Sequence, residues 1–486
     1  MRISLSIVAM LLCTSQAFGQ RIWNNSAADN NFANGANWTG WTGSFAGSDQ
    51  NWDVNLLGAN RAILSTAVGN VQRDLRIGDN GAQGELEITN SGSLTVTRDL
   101  RLARAGGATG QAIMTVNGGS VTVNREIFVG QSDNAGNPTV LTLNGGSVTN
   151  TGVSSILNVA HQANNRGNLV INSGTFTTRT AIFADGGTGP STATLTVTGG
   201  SLITTVGGYT FASGNGGANA TVNVSGLGSV TSATSMSFGF GLNSVASLNM
   251  SGGALNATGS FITFGQNATG STTNVIMTGG TINADRINWA NDAATATLSM
   301  SGGVMNMAAN TASTSGNRGA LVLGSGGADL DLSGLALISA ERLLNNAGGS
   351  IDLGGSSILH LKGSTIETAP GSGLLASPTF SFTEQFLLND WTGAMGSINL
   401  SAWNSLLRVV GDQEILEVGG SVNFVSLFND AISNNKITHN VVGGMFDVGY
   451  DGKYSYVRVV PVPEPSSLTM VGLISFMAAC RRIRRR

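Results

Sequence analysis

The chain has 486 residues, a formal net charge of -3 at pH 7, and only 10% Asp, Glu, Lys and Arg, well under the charged share of ordinary soluble domains. No basic stripe able to hold nucleic acid is present, and 41% hydrophobic residues exclude a chain too polar to fold. Sixty-nine glycines against seven prolines, with Asn, Ser and Thr filling most other polar positions, disfavour helices and suit short strands joined by tight turns.

The first 19 residues read as a signal peptide. Arg2 supplies the positive end, residues 3–13 the apolar core, and Ala17 and Gly19 the small residues that direct cleavage before Gln20. Met10, Leu11 and Leu12 do not suit lipidation of Cys13. The other cysteine, Cys480, lies in a second apolar segment near the far end. Loss of both segments leaves a mature protein without disulfides or Cys-based metal and redox sites. Residues 20–70 follow as an N-terminal cap rich in Trp and Asn: Trp23, Phe32, Asn37, Trp38, Trp41 and Trp52. Their expected role is to cover the first rung of what comes next. The segment resembles the entry of autotransporter-associated and PEP-CTERM β-repeat proteins, in which Asn-Trp precedes the first coil.

Residues 71–369 repeat. Glycine-centred turns recur at Gly92, Gly119, Gly146, Gly174, Gly200, Gly228, Gly253, Gly280 and Gly303, about every 26 residues. Each unit has an alternating strand, a Gly turn, a second strand and a third apolar stretch ending on a small residue, as in Ile127-Phe128-Val129-Gly130. Alternation with period two puts half of each strand against a core. Three strands and three corners per unit predict an all-β fold, a right-handed parallel β-helix of ~26-residue coils. Like side chains then stack at ~4.8 Å. Asn117, Asn144, Asn172, Thr198, Ser225, Ser251, Thr278, Ser301 and Ser333 form one such ladder, and Met250, Met277 and Met300 an inward one.

Beyond 370 the period breaks, and residues 370–460 read as a β-rich C-terminal cap. It holds Trp391, Trp403, Phe424 and Phe428, a helix or strand over 383–389, and a final strand over 453–459. Residues 461–465 are an extended stalk. The last segment, 461–486, combines Pro463-Glu464-Pro465, a 13-residue apolar run at 468–480, and the basic residues Arg481, Arg482, Arg484, Arg485 and Arg486. The run is short for a stable span of a bilayer, and the arginines hold its far end in the cytoplasm. This three-part order resembles the PEP-CTERM sorting signal of Gram-negative-type bacteria. The resemblance implies an exosortase as processing partner, recognition at Pro463, Glu464 and Pro465, and only transient membrane insertion.

Chemistry-bearing residues are sparse. His161, His360 and His439 are far apart and read as surface or cap residues. Asp74, Asp99 and Glu126 fall at like positions in successive coils, each after an arginine: Arg73, Arg98 and Arg125. Asp99 and Glu126 on adjacent rungs would match the separation of a retaining glycosidase pair. The competing reading is a solvated ladder of acids and arginines, and the recurrence of such pairs at Asp285-Arg286 and Glu341-Arg342 favours it. No calcium-binding nonapeptide, nucleophile elbow or phosphate loop occurs, and no cofactor is expected. The sequence thus points to an exported, non-enzymatic envelope or extracellular-matrix protein, with exopolysaccharide or a neighbouring envelope protein as partner. A carbohydrate-active β-helix enzyme and an adhesin are the alternatives.

Overall fold

The computed structural model describes residues 20–462 except 42, 44, 46–49, 72, 105–109, 133–136, 188, 267–268, 309–318, 325, 341, 346–348, 362–396, 403–405, 411–424, 436 and 451–453. The chain winds into a parallel β-solenoid of about 10 turns with coils of roughly 27 residues. The glycine rhythm therefore marks one circuit of the axis, as the repeat predicts. Ala17, Gly19, Pro463, Glu464, Pro465, the 468–480 run, the terminal arginines, the 383–389 element, Trp391, Trp403 and Phe424 lie outside the described residues. Among the described residues no helix is long and apolar enough to cross a membrane.

Three strand positions per coil build three faces. On the first face, residue columns pass from coil to coil in parallel register: Leu86, Met114, Leu141, Leu169, Leu195, Val222, Leu248, Val275 and Leu298 face the core. All are buried, because alternate residues of a strand point to opposite sides. Val245–Phe264 and Thr272–Trp289 run around all three positions of a coil as continuous strands. Met250, Met277 and Met300 stack as expected and are buried. The third face carries an aromatic column: Phe183, Phe211, Phe238, Phe264 and Trp289, with ring centroids 5.0, 4.5, 5.0 and 4.5 Å apart.

The corners explain the glycines and the small residues. Gly119, Gly146, Gly174, Gly253, Gly280 and Gly303 have φ between 69° and 89°, a region that costs other residues about 1–2 kcal/mol. At Gly146 a Cβ would also press on the Gly119 carbonyl oxygen in the coil above. Gly146→Ala should therefore lower stability by about 2 kcal/mol or more, read as a lower urea midpoint. The corner after the third strand uses the same backbone region, with Ala103, Gly130, Ala160, Ala184, Ala212, Gly239, Gly265 and Ala290 all at positive φ. Each residue after that corner bonds one coil back: His161 N–H to Gly130 O, Asp185 N–H to Ala160 O, and Gln266 N–H to Gly239 O.

Both ends differ from a simple cap-and-rod division. At the N-terminus, Trp23, Phe32, Trp38, Phe45 and Trp52 are buried and packed edge-on or stacked, with centroids 4.7–6.4 Å apart. They cover the first rung. Yet Arg21–Trp23, Trp52–Val54 and Leu75–Ile77 already pair in parallel, so stacking begins inside the cap. Asp29 organises the preceding loop by accepting from Asn34 Nδ2, Asn37 Nδ2 and Asn31 N–H.

At the other end, Ser397–Leu400 and Leu406–Val410 still add in parallel to Ser350–Leu353 and Ile358–Leu361. The inward column continues through Leu330, Ile351, Ile398 and Ile437. The period breaks there because the separation between paired rungs lengthens to 47 and then 39 residues, while the rungs persist. The true change of architecture comes later. A helix, Val425–Ser433, packs Phe428 and Ala431 into the core, and Gly444–Tyr450 and Tyr454–Pro461 form an antiparallel hairpin on the edge of Leu406–Val410. The change from parallel to antiparallel pairing turns the chain back and ends the stack on that face.

Candidate functional site

The densest chemistry lies where the N-terminal cap meets the first coils. Asp74 and Asp99 each precede a third-face strand, Glu126 opens the next one, and Leu75, Leu100 and Ile127 are in register. The three acids therefore do occupy successive rungs, as their spacing predicts. Asp99 accepts the Glu126 backbone N–H at 3.2 Å. Its other oxygen lies 2.6 Å from Arg101 Nη2, with Arg98 Nε at 3.8 Å, and Arg125 Nε is 3.6 Å from its first oxygen. Asp74 lies 3.5 Å from Arg101, 3.7 Å from Arg98 and 3.8 Å from Arg76.

Acid and arginine alternate, and Arg98 and Arg125 keep their contact with water, but two of the acids do not. Asp99 is 0% exposed and Asp74 4%. Arg76 and Arg101, which sequence reasoning passed over, fold back across the acids and close them from water. Both sit at the middle of their strands, in Leu75-Arg76-Ile77 and Leu100-Arg101-Leu102. That shared pattern was the available signal. Burial without pairing would be costly for either sign, so the two columns stand or fall together.

The column holding Arg76 and Arg101 continues to Asp53 on the cap side and Phe128 on the other. Arg101 lies 5.2 Å from the centroid of the Phe128 ring, a cation–π contact. Asp53 is fully buried, neither carboxylate oxygen has a hydrogen-bond donor among the described residues, and Arg76 Nη1 is 3.7 Å away. Arg76 also serves Asp79 at 3.1 Å. Burial pushes the Asp53 carboxyl up to about 7; Asp79 and Asp74 add to the effect, and Arg76 and Arg104 oppose it. The network thus leaves Asp53 incompletely neutralised.

The histidines do not come together. His161 lies 3.5 Å from Asp185 and packs on Phe128. His360 stands on the second face beside Ser339, and His439 meets Phe446 edge-on near the C-terminal hairpin. Among the described residues no group of three or more His, Cys, Asp or Glu is arranged to hold a metal.

The second feature is the outer surface of the first face. Its outward columns, from Ala112–Val123 to Thr295–Met300, run Ile113, Val140, Asn168, Thr194, Thr221, Ser247, Asn274, Thr297 and Thr115, Thr142, Val170, Thr196, Asn223, Asn249, Ile276, Ser299. No ionisable side chain interrupts either column over eight strands, ~34 Å at this spacing. Glu85 and Glu87 precede them, and Asp329 and Asp331 follow. Along its border, Asn117 donates to Glu87, Asn144 to Asn117, Asn172 to Asn144, and Thr198 to Asn172, at 2.8–3.2 Å. The ladder expected from the residues before each Gly turn thus exists as a directional hydrogen-bonded chain over its first four members, Asn117 to Thr198. Shorter ladders, Asn249 to Asn223 and Asn283 to Asn256, were not expected from sequence. No family model, curated protein or solved structure matches the chain.

Proposed function

We propose that this rod is an exported, non-enzymatic protein of the cell envelope or extracellular matrix of a Gram-negative-type bacterium. On this reading an exosortase processes it at Pro463-Glu464-Pro465 after transient insertion of residues 468–480. The observation that carries the structural role is the pair of uncharged columns on the first face, bounded by acids at both ends and flanked by one exposed arginine, Arg166. Eight rungs of Thr, Ser, Asn and a few aliphatic side chains offer hydrogen bonds and flat contact without charge. Such a face suits a neutral polymer such as exopolysaccharide, or the flank of a neighbouring envelope protein, and its acidic borders disfavour polyanions.

The glycosidase alternative has one observation in its favour, the adjacency of Asp99 and Glu126. It meets a physical obstacle: a carboxylate enclosed by three guanidinium groups and out of water has no lone pair facing a sugar. The purified protein should release no reducing or unsaturated sugar from a broad glycan panel. Asp99→Asn should lower the urea midpoint, because it removes the charge that the half-buried Arg101 and its neighbours Arg98 and Arg125 converge on. Sugar release that disappears in Asp99→Asn or Glu126→Gln would establish the enzyme instead. A glycan and host-protein binding array separates a matrix role from an adhesin.

The sorting reading is tested by mass spectrometry of the protein from its native host. The expected mature chain starts at Gln20 and ends near Pro465. Replacing Pro463, Glu464 and Pro465 together by Ala should leave the tail in place. An exported wild-type chain that still carries Arg486 would rule out the processing step.

A further inference from the structure

We propose that residue 20 of the mature protein is a pyroglutamate, a cyclic N-terminal lactam formed from Gln20. The inference rests on leader removal after Gly19, which makes Gln20 the first residue and gives it a free α-amine. Gln20 is exposed and precedes the first strand, Arg21–Trp23.

The next residue is firmly held. The Arg21 N–H donates to Asn51 O at 3.0 Å. The Arg21 side chain is fully buried, donates from Nε to Gln50 Oε1 at 2.7 Å, and lies 4.4 Å from the centroid of the Trp52 ring. Residue 21 is therefore clamped at both backbone and side chain, while residue 20 sits in solvent and is free to fold on itself.

The reaction needs only Gln20. Its neutral α-amine attacks its own side-chain amide carbon, Cδ. A bond from the α-nitrogen to Cδ forms, the bond from Cδ to Nε2 breaks, and the amide nitrogen leaves as ammonia with the proton given up by the amine. No oxidant, water or co-reactant enters. The local charge favours this direction. An α-ammonium here would stand one residue from the buried Arg21 guanidinium, and like-charge repulsion favours the neutral, nucleophilic amine. The product removes that positive charge altogether. It also leaves the exposed residue 20 with no terminal amine for aminopeptidases to grip.

The test is amine labelling of intact cultures, followed by mass spectrometry of the N-terminal peptide. The expected peptide begins at residue 20, is lighter than the Gln form by one ammonia, and carries no label. Gln20→Ala should give a peptide with the same start, full mass and a labelled amine. A labelled, full-mass Gln20 in the wild-type protein would overturn the lactam and leave the cleavage site standing. A first residue other than 20 would overturn both.

Discussion

Asp53→Asn should make the protein more stable at pH 8 and leave it almost unchanged at pH 4. The Asp53 carboxyl has an ordinary value of 3.8, and burial in the folded protein lifts it to about 7. A carboxyl raised on folding binds its proton more tightly in the native state. Its contribution to stability is therefore full below the unfolded value and is lost as pH rises through the folded one. A gap from 3.8 to about 7 corresponds to roughly 4 kcal/mol at pH 8. The groups facing it set the scale: Arg76 and Arg104 favour the charge, while Asp79 and Asp74 oppose it. The substituted amide has nothing to ionise, so the variant should lose the fall in stability between pH 4 and 8 that this carboxyl imposes. Urea midpoints followed by tryptophan fluorescence at several pH values provide the measurement, since Trp23, Trp38 and Trp52 pack in the adjoining cap. Parallel pH profiles for wild type and variant would show that Asp53 stays ionised when buried, with Arg76 sufficient as its partner.

That carboxylate also marks the limit of what the sequence discloses. The stacking of Asp74, Asp99 and Glu126 could be read from their spacing, because rungs in a solenoid repeat whatever occupies them. Their burial could not. Alternation tells which residues of a strand face in, but a residue at a corner points wherever the local backbone sends it, and a long arginine two positions on can cover it. Asp53 was further hidden by lying in a segment dominated by aromatics, where the strand upstream of Trp52–Val54, Arg21–Trp23, shares no sequence motif with it. The aromatic cover of the first rung was legible, since Trp and Phe in a glycine-rich chain have few other places to bury. The C-terminal end is harder to read for a different reason. Strands such as Ser397–Leu400 keep the register of the rod, but insertions between rungs erase the period by which sequence finds them. The helix at Val425–Ser433 did leave a trace: Phe428, Ala431 and Ile432 fall at the i, i+3, i+4 spacing of one helical face, and all three pack against the core.

Phe238→Ala should cost about 3–5 kcal/mol, and the manner of the loss matters as much as its size. Phe238 is fully buried and sits between Phe211 at 4.5 Å and Phe264 at 5.0 Å. Its removal leaves a cavity that the rigid rungs above and below cannot close, because each is held by backbone bonds to its own neighbours. It also breaks two ring contacts, each worth about 0.5–1.5 kcal/mol beyond area burial. Phe238→Leu fills most of the space and should cost less than half as much. In a globular core the damage would spread through shared neighbours, but in a solenoid each coil touches only the next, so stability is close to a sum of coil and interface terms. Amide exchange should therefore rise chiefly in Tyr209–Phe211, Met236–Phe238 and the matching part of Val245–Phe264, while the strands around Leu86 and Leu330 keep their protection. Two separate unfolding transitions in urea, in place of one, would be the equilibrium sign of a rod divided at this rung. A uniform loss of protection from cap to hairpin would instead mean that the rod folds as one indivisible unit, and the aromatic column would then be a filler rather than the coupling between coils.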